Sequence, residues 1–218
     1  MKLFLTSSGI GSEIKDDFLS LLSKSPNQIK VAFILTASYP EPNPWYVEKS
    51  LKTLRSLGFK TEEFDLRIEN PESLRGKLLD TDVIYVDGGN TFYLLEWVRK
   101  SGFDKALQEF LERGGVYVGV SAGSYIACPT IEMANWKRPD RNLVGLADLT
   151  SLNLISFLLT AHYTVDSETS IRQGSIKSGY PTVALSDGQA VLVDGEKVKV
   201  VGPGQKYFFN GFKENLDR

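Results

Sequence analysis

Residues 115–127 read Gly-Val-Tyr-Val-Gly-Val-Ser-Ala-Gly-Ser-Tyr-Ile-Ala. A β-prone run leads straight into Gly119-Val120-Ser121-Ala122-Gly123, and a helix-like segment of small residues follows. Strand, sharp turn and helix make up the context that a G-x-S-x-G nucleophile elbow requires. The turn puts Ser121 in a sparsely populated backbone region, and a Cβ on either flanking glycine would strike the strand or the helix. The Ser121 hydroxyl then stands at the carboxyl end of the strand. The Ala122 amide, at a helix start, points where an oxyanion would develop. The alternative is a glycine-rich turn without chemistry, so the case rests on what else the chain offers Ser121.

The rest of the chain supplies the frame such an elbow needs. Apolar runs bounded by turn residues read as buried strands at 2–6, 30–36 and 82–86, and 59–66 reads as another strand. Helical spacing runs through 13–24, 46–57, 71–79, 91–100 and 103–113, the last closed by Gly114 and Gly115. Prolines 40, 42 and 44 forbid helix before Trp45. Alternation of strand and helix from Met1 to about Ile126 predicts an α/β fold: a mostly parallel central sheet with helices on both faces. In such sheets ligands sit beyond the carboxyl ends of the strands. Short strands at 182–185, 190–193 and 197–201, with a turn at Asp194-Gly195, read as a continuation of the sheet through an antiparallel hairpin. No linker, repeat or low-complexity tract interrupts the chain, so residues 1–218 are expected to form one domain.

Composition narrows the partners. A net charge of -2 gives no reason to expect nucleic acid or an anionic membrane. No segment approaches the 18 apolar residues of a membrane span, and the apolar run at the start is too short for a secretory signal. The single Cys128 excludes an internal disulfide and a cysteine-rich metal site. A cytoplasmic protein without metal or other cofactor is expected.

A serine nucleophile needs a base near neutral pH, usually imidazole. The chain holds one histidine, His162, where the apolar segment 152–161 gives way to a polar loop. A lone histidine is more often structural than catalytic; its place at the end of a buried element favours function. The acid that fixes its tautomer would come from Asp166, Glu168, Asp187, Asp194 or Glu196. Asp194 and Glu196 belong to the hairpin turn, and Asp166 and Glu168 to a polar, flexible-looking loop. Asp187 ends a strand before Gly188, as the other functional corners do, and is preferred. Gly88, Gly89 and Asn90 follow the strand at 82–86, and the Gly89 amide is a second oxyanion donor. The competing reading there is a tight turn capped by Asn90. Cys128, well inside the post-elbow segment, is the weakest candidate nucleophile.

Three segments together resemble the peptidase E (aspartyl dipeptidase) family of serine peptidases, related to cyanophycinases. They are Asp87-Gly-Gly-Asn-Thr-Phe92, Gly119-Val-Ser-Ala-Gly123 and Ala127-Cys-Pro-Thr-Ile131. The likeness continues through Leu152-Asn-Leu154, Leu185-Ser-Asp-Gly188 and Gln189-Ala-Val-Leu192. The resemblance implies a sandwich like that of class I glutamine amidotransferases and a metal-free Ser-His-Glu triad. It implies Ser121 as nucleophile, His162 as base, and the Gly89 and Ala122 amides as oxyanion hole. Asp187 stands where the family carries Glu. Gly88, Asn90 and Arg172 are the implied substrate-binding residues, Arg172 being what remains of an arginine-rich segment that reads an aspartate side chain. The expected activity is hydrolysis of short peptides through an acyl-enzyme. A cyanophycinase-like amidase or isopeptidase, and a non-catalytic binding module on the same fold, are the alternatives. The partner is then a small peptide substrate, with monomer and homodimer both open.

Overall fold

The computed structural model describes residues 1–216. Seven strands form the main sheet in the order β3-β2-β4-β5-β1-β8-β9. These are β1 (Lys2–Thr6), β2 (Lys30–Ile34), β3 (Lys60–Phe64), β4 (Val83–Val86), β5 (Val116–Val120), β8 (Ala190–Asp194) and β9 (Lys197–Val201). The first five run parallel, and β8 and β9 close the sheet as an antiparallel hairpin against β1. Between them lie α1 (Lys15–Leu19), α2 (Trp45–Ser56), α3 (Pro71–Leu78), α4 (Thr91–Ser101), α5 (Phe103–Glu112) and α6 (Ala122–Tyr125).

Period-2 alternation divides each inner strand between two cores. Ala32, Ile34, Ile84 and Val86 face one side, where Leu94, Leu95, Val98, Phe103 and Phe110 cover them. Val31, Phe33, Val83 and Tyr85 face the other, under Phe18, Leu51 and Leu54. The helices are bounded by local chemistry. Asn70 makes a capping box with Ser73 at the start of α3, and Gly102, at φ 73°, ends α4 in the left-handed region.

Three expectations are corrected. The helix expected over 13–24 is regular only over Lys15–Leu19, because the Ser20 hydroxyl donates to the Asp17 carbonyl at 2.6 Å and Pro26 follows soon after. The strand at 182–185 does not continue the main sheet. As β7 (Thr182–Ala184) it pairs with β6 (Leu158–Thr160), parallel, and β10 (Tyr207–Phe209), antiparallel, in a second, three-stranded sheet. The loop expected to hold Asp166 and Glu168 is helical: a 3-10 turn over Val165–Ser167, opened by the Thr164–Ser167 capping box, runs into α7 (Glu168–Ser178), which Gly179 closes at φ 77°.

Candidate active site

Five loops converge, each leaving the carboxyl end of a parallel strand. Ser7 follows β1, Asp87–Gly89 follow β4, Ser121 follows β5, His162 follows β6 and Asp187 follows β7. β4, β5 and β1 are neighbours in the main sheet, so their loops meet without long excursions. His162 and Asp187 come from two adjacent strands of the second sheet.

Ser121 sits at φ 47°, ψ -104°, a conformation that non-glycine residues occupy only when their surroundings enforce it. The surroundings do so by close packing. A Cβ on Gly119 would lie 2.5 Å from the Gly123 carbonyl oxygen, and one on Gly123 would lie 2.1 Å from that of Val86. His162 is also left-handed, at φ 54°. Its amide donates to Ser7 Oγ at 2.8 Å, and the amide of Ala161 before it donates to Tyr125 Oη at 3.1 Å.

The ring then has one neighbour on each side. His162 Nδ1 lies 2.7 Å from Asp187 Oδ1, and Nε2 lies 3.3 Å from Ser121 Oγ. With Nδ1 protonated toward the carboxylate, Nε2 offers its lone pair to the serine hydroxyl. Ser7 Oγ donates to Asp187 Oδ1 at 2.8 Å, so one hydroxyl ties the acid to the histidine backbone. The His162 hydrogen bond, with help from Ser7 and the Lys137 charge, holds the Asp187 carboxyl below its ordinary pKa against the opposing effect of burial. Ser7 carried no sequence signal beyond its place at a strand end.

The two glycine-rich corners abut. A Cβ on Gly88 would stand 3.5 Å from Ser121 Cβ. Among the described residues, the amides of Gly89 and Ala122 donate to no other backbone carbonyl. Asn90 departs from the expectation of substrate contact. Its Oδ1 caps α4 by accepting the Tyr93 amide at 2.9 Å, its Nδ2 donates to the Arg141 carbonyl at 2.9 Å, and it lines neither cavity beside the serine.

Those two cavities share Ser121 and His162. One, of about 530 Å³, runs under α2 and is lined by Asp87, Gly88, Gly89, Tyr46 and Asp187. The other, of about 500 Å³, is lined by Tyr125, Lys137, Arg138 and Asp166. Burial lowers the Lys137 ammonium to about 8, and its Nζ donates to the Ala161 carbonyl. Lys137 and Arg138 went unnoticed in the sequence because the segment after Ile131 has little regular structure to read.

Arg172, expected to bind substrate, lies outside both cavities. It pairs with Glu168 at 2.6 Å, one turn back on α7, and sits over the Phe209 ring. Glu168 also accepts the Tyr163 hydroxyl at 2.9 Å, so neither it nor Asp166 makes a hydrogen bond to the His162 ring. Cys128 is fully buried, with its thiol pushed up to about 12 by burial, which removes it as a nucleophile.

Residues 3–201 match the sequence model of peptidase family S51. An uncharacterised peptidase of Listeria monocytogenes is 35% identical over 205 residues, covering 90% of this chain and 96% of that one. A Shewanella amazonensis protein named peptidase E is 30% identical over 177 residues, covering 76% and 72%. A crystal structure described as a peptidase E protein of Listeria monocytogenes superposes with TM-score 0.79 at 32% identity, covering 93% of this chain and 98% of that one. A peptidase from an acI-B1 actinobacterium, at TM-score 0.73 and 15% identity, shares the fold, covering 98% and 92%.

Proposed function

The chain belongs to peptidase family S51, and from that premise we propose that it hydrolyses short peptides through a Ser121–His162–Asp187 triad and an acyl-enzyme. The observation that carries the reading is the chain of contacts at the strand ends, 3.3 Å from serine to imidazole and 2.7 Å from imidazole to carboxylate.

Ser121 Oγ attacks the scissile carbonyl as His162 Nε2 takes its proton. The carbonyl oxygen becomes an oxyanion between the Gly89 and Ala122 amides, each worth about 3 kcal/mol to the transition state. Collapse of the tetrahedral intermediate breaks the C–N bond, and the imidazolium delivers its proton to the departing amine. Water, deprotonated by His162, then releases the acyl group by the same steps. Asp187 holds the imidazole tautomer and stabilises the cation throughout.

Short substrates are favoured because Lys137 and Arg138 line the second cavity, where a short peptide can bring its terminal carboxylate. The described residues act in this reading as one peptidase domain, since β8 returns to pair with β1 and β9 pairs with β8. Among the described residues no helix is long and apolar enough to cross a membrane.

Labelling by a fluorophosphonate probe, followed by a dipeptide panel, tests the reading. The probe should modify Ser121, and Ser121→Ala should abolish both labelling and hydrolysis while leaving the circular dichroism spectrum and melting temperature unchanged. Retention of more than a few per cent of the activity would overturn the mechanism. Cleavage of β-linked or side-chain amides in preference to α-dipeptides would instead assign the chain to the isopeptidase chemistry of its cyanophycinase-like alternative.

A further inference from the structure

Asp87 is 1% exposed, directly follows β4, and lies immediately before Gly88. Its Oδ1 accepts the Ser50 hydroxyl at 3.2 Å, and Ser50 Oγ in turn accepts the Tyr85 hydroxyl at 3.4 Å. Its Oδ2 is buried, with no hydrogen-bond partner among the described residues. The Tyr46 hydroxyl, on α2, is buried and unpartnered too. Both residues line the larger cavity, together with Ser121, His162 and Gly89. Native structures leave few such atoms unpaired, and a buried carboxylate without a cation is the costliest kind.

A structural role explains only half of this. Ser50 steadies one end of the carboxylate and with it the glycine corner. An asparagine would serve equally there, since its amide oxygen accepts the same bonds. What asparagine lacks is the charge, and Oδ2 is the oxygen that no described residue uses. The other charged side chains lining the same cavity, Lys49, Glu13 and Asp187, are exposed.

We propose that Asp87 Oδ2, with the Tyr46 hydroxyl, forms an ammonium subsite that takes the free α-amino group of the peptide substrate. The inference rests on Ser121 as the attacking residue and on Gly89 as an oxyanion donor. An α-amine is two covalent bonds from the scissile carbonyl carbon. With the carbonyl oxygen at the Gly89 amide, the amine falls beside the same loop, where Asp87 stands. The phenol oxygen of Tyr46 accepts a second N–H, so both orphaned atoms gain partners when the substrate enters. The other cavity carries Lys137 and Arg138 together with Asp140 and Asp166, so the direction in which a dipeptide lies is set in this proposal by the amine at Asp87.

The test compares the best free dipeptide of the panel with its N-acetyl derivative, on wild type, Asp87→Asn and Tyr46→Phe. N-acetylation should lower wild-type kcat/KM by about 100-fold, mostly through KM, the range expected for a buried charged hydrogen bond. Asp87→Asn should lower kcat/KM on the free dipeptide by about 50-fold and leave the acetylated one within about threefold. Tyr46→Phe should act in the same direction by about fivefold. Equal rates on free and acetylated dipeptides would overturn the proposal. So would a requirement for a lysine side chain, probed with N-acetyl-lysyl dipeptides, because the subsite would then read a side-chain ammonium. Isothermal calorimetry on Ser121→Ala repeats the comparison without turnover, so a misfolded Asp87→Asn does not decide the matter. Fluorophosphonate labelling of Ser121 is indifferent to the substrate amine. Labelling with no discrimination between free and acetylated peptides sinks the subsite and spares the serine mechanism. Absence of labelling sinks the mechanism, and calorimetry then decides the subsite alone.

Discussion

Asp187 and Asp87 are two carboxylates in one cavity whose surroundings push them in opposite directions. Hydrogen bonds from His162 and Ser7 keep Asp187 ionised, whereas burial, opposed only by Gly88 and Ser50, raises Asp87 to about 7. The first is suited to orienting an imidazole. Asp187→Asn should lower kcat by up to about 10⁴-fold by favouring the wrong tautomer. Asp166→Asn and Glu168→Gln should stay within about tenfold, because neither side chain reaches the ring. Asp187→Glu should also lose activity, the loop having seated the shorter acid at 2.7 Å. Steady-state kinetics on the four variants decides this, and a collapse of Asp166→Asn alone would remove Asp187 from the triad. Asp87 makes a different prediction, about stability. A folded pKa raised above the unfolded value means that the native state binds the extra proton, so stability falls as pH rises from about 4 to about 7 and stays lower above. Asp87→Asn removes that cost. Relative to wild type it should gain on the order of a few kcal/mol at pH 8, and the gain should vanish toward pH 4 in denaturant titrations.

At the scale of elements, the close approach of the elbow to β4 leaves no room for adjustment. Gly123→Ala would place a methyl 2.1 Å from the Val86 carbonyl oxygen, both groups being held by backbone. It should destabilise the protein by about 3 kcal/mol or more, or abolish soluble expression, as thermal denaturation will show. Crowding at the elbow glycines was readable in the sequence, since a G-x-S-x-G turn demands it, though not its partner in β4; the five parallel strands, four of them apolar runs and β3 largely polar, were readable too. The second sheet was not. Its strands have three residues each, too few for a period to show, and β6 is the end of an apolar segment whose earlier part is pinned to the post-elbow carbonyls of Ile126, Ala127 and Cys128. Helix α7 was missed for another reason. Only Ile171 and Ser175 are buried along it, so its apolar stripe is a single turn wide, yet the Thr164–Ser167 box, the Glu168–Arg172 pair and Gly179 were all present as local signals. Reading them would have paired Arg172 with Glu168, where it lines neither cavity beside Ser121.

At the scale of the whole molecule, the sequence singled out Ser121 by its motif, His162 by its singularity and Asp187 by its strand end, and the three adjoin in the candidate site. Ser7 and Asp87 acquire their meaning only from contacts that the fold creates, across sequence separations of 180 and 37 residues. Ser7 joins what the topology divides: Ser121 belongs to the main sheet, His162 and Asp187 to the second, and its hydroxyl bonds to both members of the latter. Ser7→Ala should therefore lower kcat by about 10- to 100-fold, with only about 1–2 kcal/mol lost from global stability. An unchanged kcat would show that the two sheets hold their alignment without it. A machine whose cutting edge and drive are mounted on separate frames has a tolerance as well as a strength. Warming should slacken the pin at Ser7 before either frame comes apart, so the enzyme will fall silent several degrees below the temperature at which it melts, and wake again on cooling.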